Sequence, residues 1–173
     1  DRGIGDAAIE HLTGQIDELA RIASWYQRST GPSEAETIAY LVIPLLRALG
    51  WTPQKMAVEW HGVDIALFWT LPRTDENLTA IVEVKAKGRS CLNAQPEARV
   101  YAEQPGRQSC ARLIVTDGLR YGVYLRKDGA FNNCPDAYLN LTQMRRDYPV
   151  LHCRGAKEAF LLMAADWVPG VVP

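Results

Sequence analysis

Several residue types and motifs that would announce a function are scarce or missing in this 173-residue chain. There are only three histidines, His11, His61 and His152, scattered singly along the sequence, and each reads as an ordinary surface or half-buried side chain rather than a ligand. The four cysteines, Cys91, Cys110, Cys134 and Cys153, form no CxxC pair and have no histidine at zinc-finger spacing, which argues against a structural zinc site. Net charge is almost absent, at −1, so no strongly basic footprint marks a nucleic-acid binder, and any DNA contact must come from a local basic surface. No apolar run is long or continuous enough to span a bilayer, and nothing resembles a signal peptide. No repeat or low-complexity segment is visible. The absence of a GxxxxGK[ST] loop excludes an ATP-driven motor of that kind within these residues. The default expectation is a cytoplasmic protein with reduced thiols. A start at Asp1 rather than methionine, and an end in Pro169-Gly170-Val171-Val172-Pro173, suggest processing, recombinant trimming or excision from something longer.

What is present suits one packed domain: 47% hydrophobic residues can bury a sizeable core, and 23% charged residues with a net charge of −1 give no signature of disorder. From residue 6 to 28, Ile9, Leu12, Ile16, Leu19, Ile22 and Ala23 recur at three- and four-residue steps, predicting an amphipathic helix that either packs on the core or mediates association. After Thr30-Gly31-Pro32, Ser33 and Glu36 form a capping-box pattern. The stripe Ile38, Leu41, Val42, Leu45, Leu46 and Leu49 then predicts a second helix closed by Gly50, with a kink or a locally missing hydrogen bond at Pro44. Extended patterns follow at 56–60, 63–69 and 78–86, with a turn over 71–77. Residues 92–104 read as a helix despite Pro96, 111–116 and 121–126 as strands joined at Asp117-Gly118, and 156–166 as a closing helix. Beyond Gly129 the signal weakens. The expected fold class is α/β (α+β), a central mixed sheet flanked by helices, with residues 1–30 as a helical extension and 31–168 as the main domain.

Alternation in the third strand puts Glu83, Lys85 and Lys87 on one face and Val82, Val84 and Ala86 on the other. Three charges on one face of an otherwise apolar strand conflict with burial, and such conflicts often mark functional sites. If the strand pairs antiparallel with 63–69, Asp64 can approach Glu83. Two carboxylates and an ammonium would then share one place. Hard cations such as Mg²⁺ take oxygen ligands of this kind, and Lys85 could position or polarise a water for attack on a phosphodiester.

Asp64 followed by Glu83-Val84-Lys85 resembles the D…(D/E)xK signature of the PD-(D/E)xK nucleases. The run from Ser33 through Ile43-Pro44-Leu45-Leu46-Arg47-Ala48-Leu49-Gly50-Trp51 resembles the N-terminal nuclease domain of type I restriction enzyme R subunits. So do Val100-Tyr101-Ala102 and Leu113-Ile114-Val115-Thr116-Asp117-Gly118-Leu119-Arg120-Tyr121, and the resemblance covers residues 33–127. It implies a restriction-endonuclease-like core, Mg²⁺-dependent DNA cleavage with Mn²⁺ as a substitute, and attachment to a helicase or translocase or another restriction-system subunit. It also implies Asp64, Glu83 and the Val84 carbonyl as metal ligands and Lys85 as the catalytic lysine. Glu34 resembles the acidic residue of the first helix, and is preferred to Glu36, which has a capping role. Relatives often carry glutamine four residues before the tyrosine of the following helix. Glu97 holds that place here, with Gln95 two residues earlier, so a part for Gln95 or Tyr101 stays open.

The plainer readings are a surface ladder of ion pairs for Asp64, Glu83 and Lys85, and a helix-dipole preference for Glu34. Trp51, Trp60 and Trp69 read as packing residues rather than a base-stacking platform. Arg89, Arg99, Arg107, Arg120 and Lys127 fit either a DNA groove or a solvated surface. Two functions follow from these patterns: a metal-dependent DNA endonuclease, or a non-catalytic module of nuclease fold in a larger DNA-processing complex.

Overall fold

Ser33 and Glu36 satisfy each other's backbone. The Ser33 hydroxyl accepts from the Glu36 N–H at 3.2 Å and the Glu36 carboxylate accepts from the Ser33 N–H at 2.8 Å, the reciprocal cap expected from the pattern. In this computed structural model, which describes residues 6–27, 31–86 and 90–170, the cap opens α2 (Glu34–Thr37). A π-helical turn (Ile38–Val42) and α3 (Ile43–Ala48) follow without a break. Pro44 has no N–H to donate, and the helix answers by widening: the Ile43 N–H reaches the Ile38 carbonyl. The stripe Ile38, Leu41, Val42, Leu45 and Leu46 therefore stays continuous and buried. Gly50, at φ +91°, ends the helix, and the Trp51 N–H returns to the Leu46 carbonyl at 3.1 Å. The amphipathic helix α1 (Asp6–Gln27) packs Leu19 and Ala23 into the same core.

β1 (Met56–Trp60), β2 (Val63–Phe68) and β3 (Leu78–Val84) form an antiparallel meander. A crossover carrying α4 (Gln95–Ala102) leads to β4 (Arg112–Thr116), parallel to β3, and β5 (Arg120–Lys127) returns antiparallel beyond Asp117-Gly118. α5 (Ala156–Met163) closes the chain as expected. Residues 78–86 were expected to be one strand, but β3 stops at Val84, although the Lys85 N–H still bonds the Thr116 carbonyl at 2.8 Å.

Where no period is readable after Gly129, the chain makes β6 (Ala130–Phe131), β7 (Ala137–Asn140), β8 (Asp147–Tyr148) and β9 (Cys153–Arg154). These extend the sheet to the order β1-β2-β3-β4-β5-β7-β9-β8, with β6 on β5. Segments of two to four residues carry too few side chains for alternation to show, and their conformation follows from pairing along β5 and its neighbours.

Alternation gives the sheet two apolar faces. Ala80, Val82 and Val84 meet α1, α3 and α5 on one side, whereas Ile81 meets Ala98 and Ala102 of α4 on the other. The result is a central mixed sheet flanked by helices, the architecture expected from the sequence. Glu83, two residues beyond Ile81, points toward the α4 side.

Candidate active site

The register of the meander assembles the cluster. Ile65 pairs with Val82, so Asp64 stands across from Glu83 one step further along the antiparallel pair. Asp64 Oδ2 accepts the Val84 N–H at 2.7 Å, which fixes that carboxylate at the end of the strand pair. Lys85 Nζ lies 3.3 Å from Glu83 Oε1 and 2.9 Å from Oε2 of Glu97 on α4. Two carboxylates, one on β3 and one on α4, thus flank the ammonium, and Asp64 on β2 adds its charge to the Glu83 side.

Glu83 is only 3% exposed, and its Oε2 has no hydrogen-bond partner. Burial, reinforced by the charges of Asp64 and Glu97 and opposed by Lys85, pushes its carboxyl up to about 8. For Lys85, burial disfavours the charge, but hydrogen bonds and attraction from Glu97 and Glu83 outweigh it and hold the ammonium firmly protonated. A buried carboxylate with an open oxygen beside a second carboxylate fits a hard divalent cation. Among the described residues no group of three or more His, Cys, Asp or Glu side chains is placed to hold a metal. A cation here would therefore draw on Asp64, Glu83, the Val84 main chain and water. The Val84 carbonyl shares the β2 side of the strand with its N–H, past the Ile65–Val82 pair.

Glu34 stands apart. It is exposed in the first turn of α2, whose helix packs on the opposite face of the sheet, and it is not among the charges acting on Glu83. Gln95 is buried and donates to the Asn132 carbonyl at 3.2 Å. Tyr101 packs against Gly62, where an added Cβ would come within 3.2 Å of its ring.

The arginines and lysine that suggested a groove answer acids or carbonyls. Arg99 pairs with Glu103, Arg120 with Asp117 and Lys127 with Asp136. Arg107 is not a surface residue: it is 1% exposed, bonded to Asp75 and to the Tyr101 carbonyl. Lys87 and Arg89 lie outside the described residues. Trp51 is buried and Trp60 packs edge-on against Phe68, as packing residues should, but Trp69 is 60% exposed because it lies past the end of β2. His61, exposed, has Nδ1 4.0 Å from Asp75.

Sequence reasoning met Glu97 only as a departure from a family pattern. Its spacing from Lys85 carries no signal of contact, because the two residues lie on different elements. The buried Arg112 was missed altogether. Its guanidinium donates to the Leu162 and Ala164 carbonyls at 2.8 and 2.9 Å and lies 4.7 Å from the Trp167 ring centre.

No family model matches the chain, and no curated protein matches its sequence. A fragment named as an HsdR subunit of a type I restriction enzyme from Vibrio vulnificus is similar in structure over 60% of this chain and 23% of that one, with 20% sequence identity and a TM-score of 0.45. This chain spans less than a quarter of the length of that one. Among the described residues, no helix is long and apolar enough to cross a membrane.

Proposed function

We propose that this chain is the catalytic core of a Mg²⁺-dependent DNA endonuclease of the PD-(D/E)xK type, serving a restriction or other defence system. The observation that carries the reading is the buried, unpartnered Glu83 Oε2 beside Asp64, with the Lys85 ammonium 3.3 Å from the other Glu83 oxygen. Two carboxylates held together with one open oxygen are costly unless a cation joins them. Asp64, Glu83 and the Val84 carbonyl would hold Mg²⁺, or Mn²⁺ in its place. The bound ion would offset charge developing on the scissile phosphodiester and make a nearby water more acidic.

This chain's own residues do the rest. Asp64 is oriented by the Val84 N–H, so its second oxygen is presented rather than free to rotate. Lys85, kept charged by its acidic neighbours, serves as a donor that orients the attacking water and stabilises negative charge on the phosphate.

Incubation of supercoiled and linear DNA with Mg²⁺, with Mn²⁺ and with chelator tests the proposal. Cutting that requires the metal is the expected result, and cutting that persists in chelator would contradict it. The non-catalytic alternative draws support from one observation, the engagement of Arg99, Arg120 and Lys127 with acids, which leaves less positive surface for DNA. Under that alternative, DNA stays intact in every metal.

A further inference from the structure

We propose that Glu97 is a positioning residue for Lys85, and that it sets the cation affinity of the site by holding the ammonium away from the open oxygen of Glu83. The inference rests on the nuclease reading above and adds to it a residue from another element. Of the two contacts made by Lys85 Nζ, the shorter is to the helix, 2.9 Å to Glu97 against 3.3 Å to Glu83. A lysine ammonium is a point charge on a flexible stem and settles where negative potential is greatest. Without Glu97, that place is the Glu83 and Asp64 pair, where the ammonium would neutralise the buried carboxylate and compete with a divalent cation for the same oxygens.

A separate observation points to a ligand. Glu83 is 3% exposed, yet its Oε2 has no partner although an ammonium is within reach of Oε1. Something keeps the ammonium from closing over both oxygens, and the Glu97 contact does so. The backbone of α4 is anchored by buried Ala98 and Ala102, so Glu97 is presented from a fixed place. Its side chain is 50% exposed, so it can be changed without opening the core.

The test is a titration of the full chain with Mn²⁺ in the absence of DNA, read from the electron paramagnetic resonance signal of free Mn²⁺, with a thermal melt on each protein. Glu97→Ala is expected to weaken Mn²⁺ binding about tenfold or more, the usual consequence of losing a partner that orients a ligand set. Glu97→Gln, which keeps an acceptor but no charge, should fall between. Lys85→Met should bind at least as tightly as the unaltered chain, and Lys85→Met/Glu97→Ala should match Lys85→Met, because Glu97 acts through the lysine. An equal loss with and without Lys85 would show that Glu97 acts on the cation directly and would overturn the inference. So would no loss at all. If binding depends on Asp64 but is unmoved by Glu97→Ala, this inference alone fails. If the unaltered chain shows no Mn²⁺ binding sensitive to Asp64→Ala, the nuclease reading fails and this inference falls with it.

Discussion

Glu83→Gln is expected to stabilise the metal-free protein at alkaline pH. The carboxyl rises from its ordinary 4.5 to about 8 on folding, chiefly through burial. A group whose pKa is raised in the folded state binds more protons there than in the unfolded state, so stability is fully present below pH 4.5 and is lost as pH climbs through about 8. At about 1.4 kcal/mol for each factor of ten in the ionisation equilibrium, the ceiling on that loss is about 5 kcal/mol. Relaxation and water entry at a strand end reduce it to about 2–3 kcal/mol. The amide of Gln keeps the shape and cannot ionise. Urea unfolding in chelator at pH 5, 7 and 9 should show the unaltered protein losing about 2–3 kcal/mol across the series and the variant losing distinctly less. Parallel pH profiles for the two proteins would refute the assignment of a buried, cation-lacking carboxylate to Glu83.

Three further outcomes concern the scaffold that places the cluster. Arg112→Ala strands the carbonyls of Leu162 and Ala164 and leaves a hole beside Trp51 and Trp167, so the urea midpoint should fall by the equivalent of about 3 kcal/mol or more. Gly118→Ala places a Cβ at φ +86° and 2.7 Å from Leu41 Cδ1, so a destabilisation of about 2 kcal/mol or more is expected by thermal denaturation. Ser33→Ala removes half of the cap on α2 and should cost about 1 kcal/mol, measured the same way.

The fold was legible in the sequence wherever one element carried enough residues to show a period. The stripe from Ile38 to Leu46, the meander of β1 to β3 and the cap at Ser33 all came from local pattern. Pro44 shows the limit of that reasoning: the missing N–H could be foreseen, but not the π turn over Ile38–Val42 that accompanies it while Leu41 and Leu45 stay buried. The strands after Gly129 were hidden because they have no period of their own. Arg107 and Arg112 were hidden because an arginine in sequence looks like surface, and only the fold brings buried carbonyls to it.

The site divides in the same way. Asp64 and Glu83 could be placed together from strand register alone, since alternation and antiparallel pairing are local rules. Glu34 was singled out by resemblance and because Glu36 serves the cap, but it stands one turn before the buried stripe begins at Ile38, in solvent. Glu97 meets Lys85 only because α4 crosses over the end of β3, a tertiary event with no counterpart in spacing.

The most direct test of the central claim compares the unaltered chain with Lys85→Ala on supercoiled DNA in Mn²⁺, at matched thermal stability. The account predicts metal-dependent cutting that falls by about three orders of magnitude or more in the variant, as loss of a charge-stabilising donor in a reacting site should cause. Equal cutting by both proteins would show that the lysine, and with it the proposed constellation, is not where the chemistry happens.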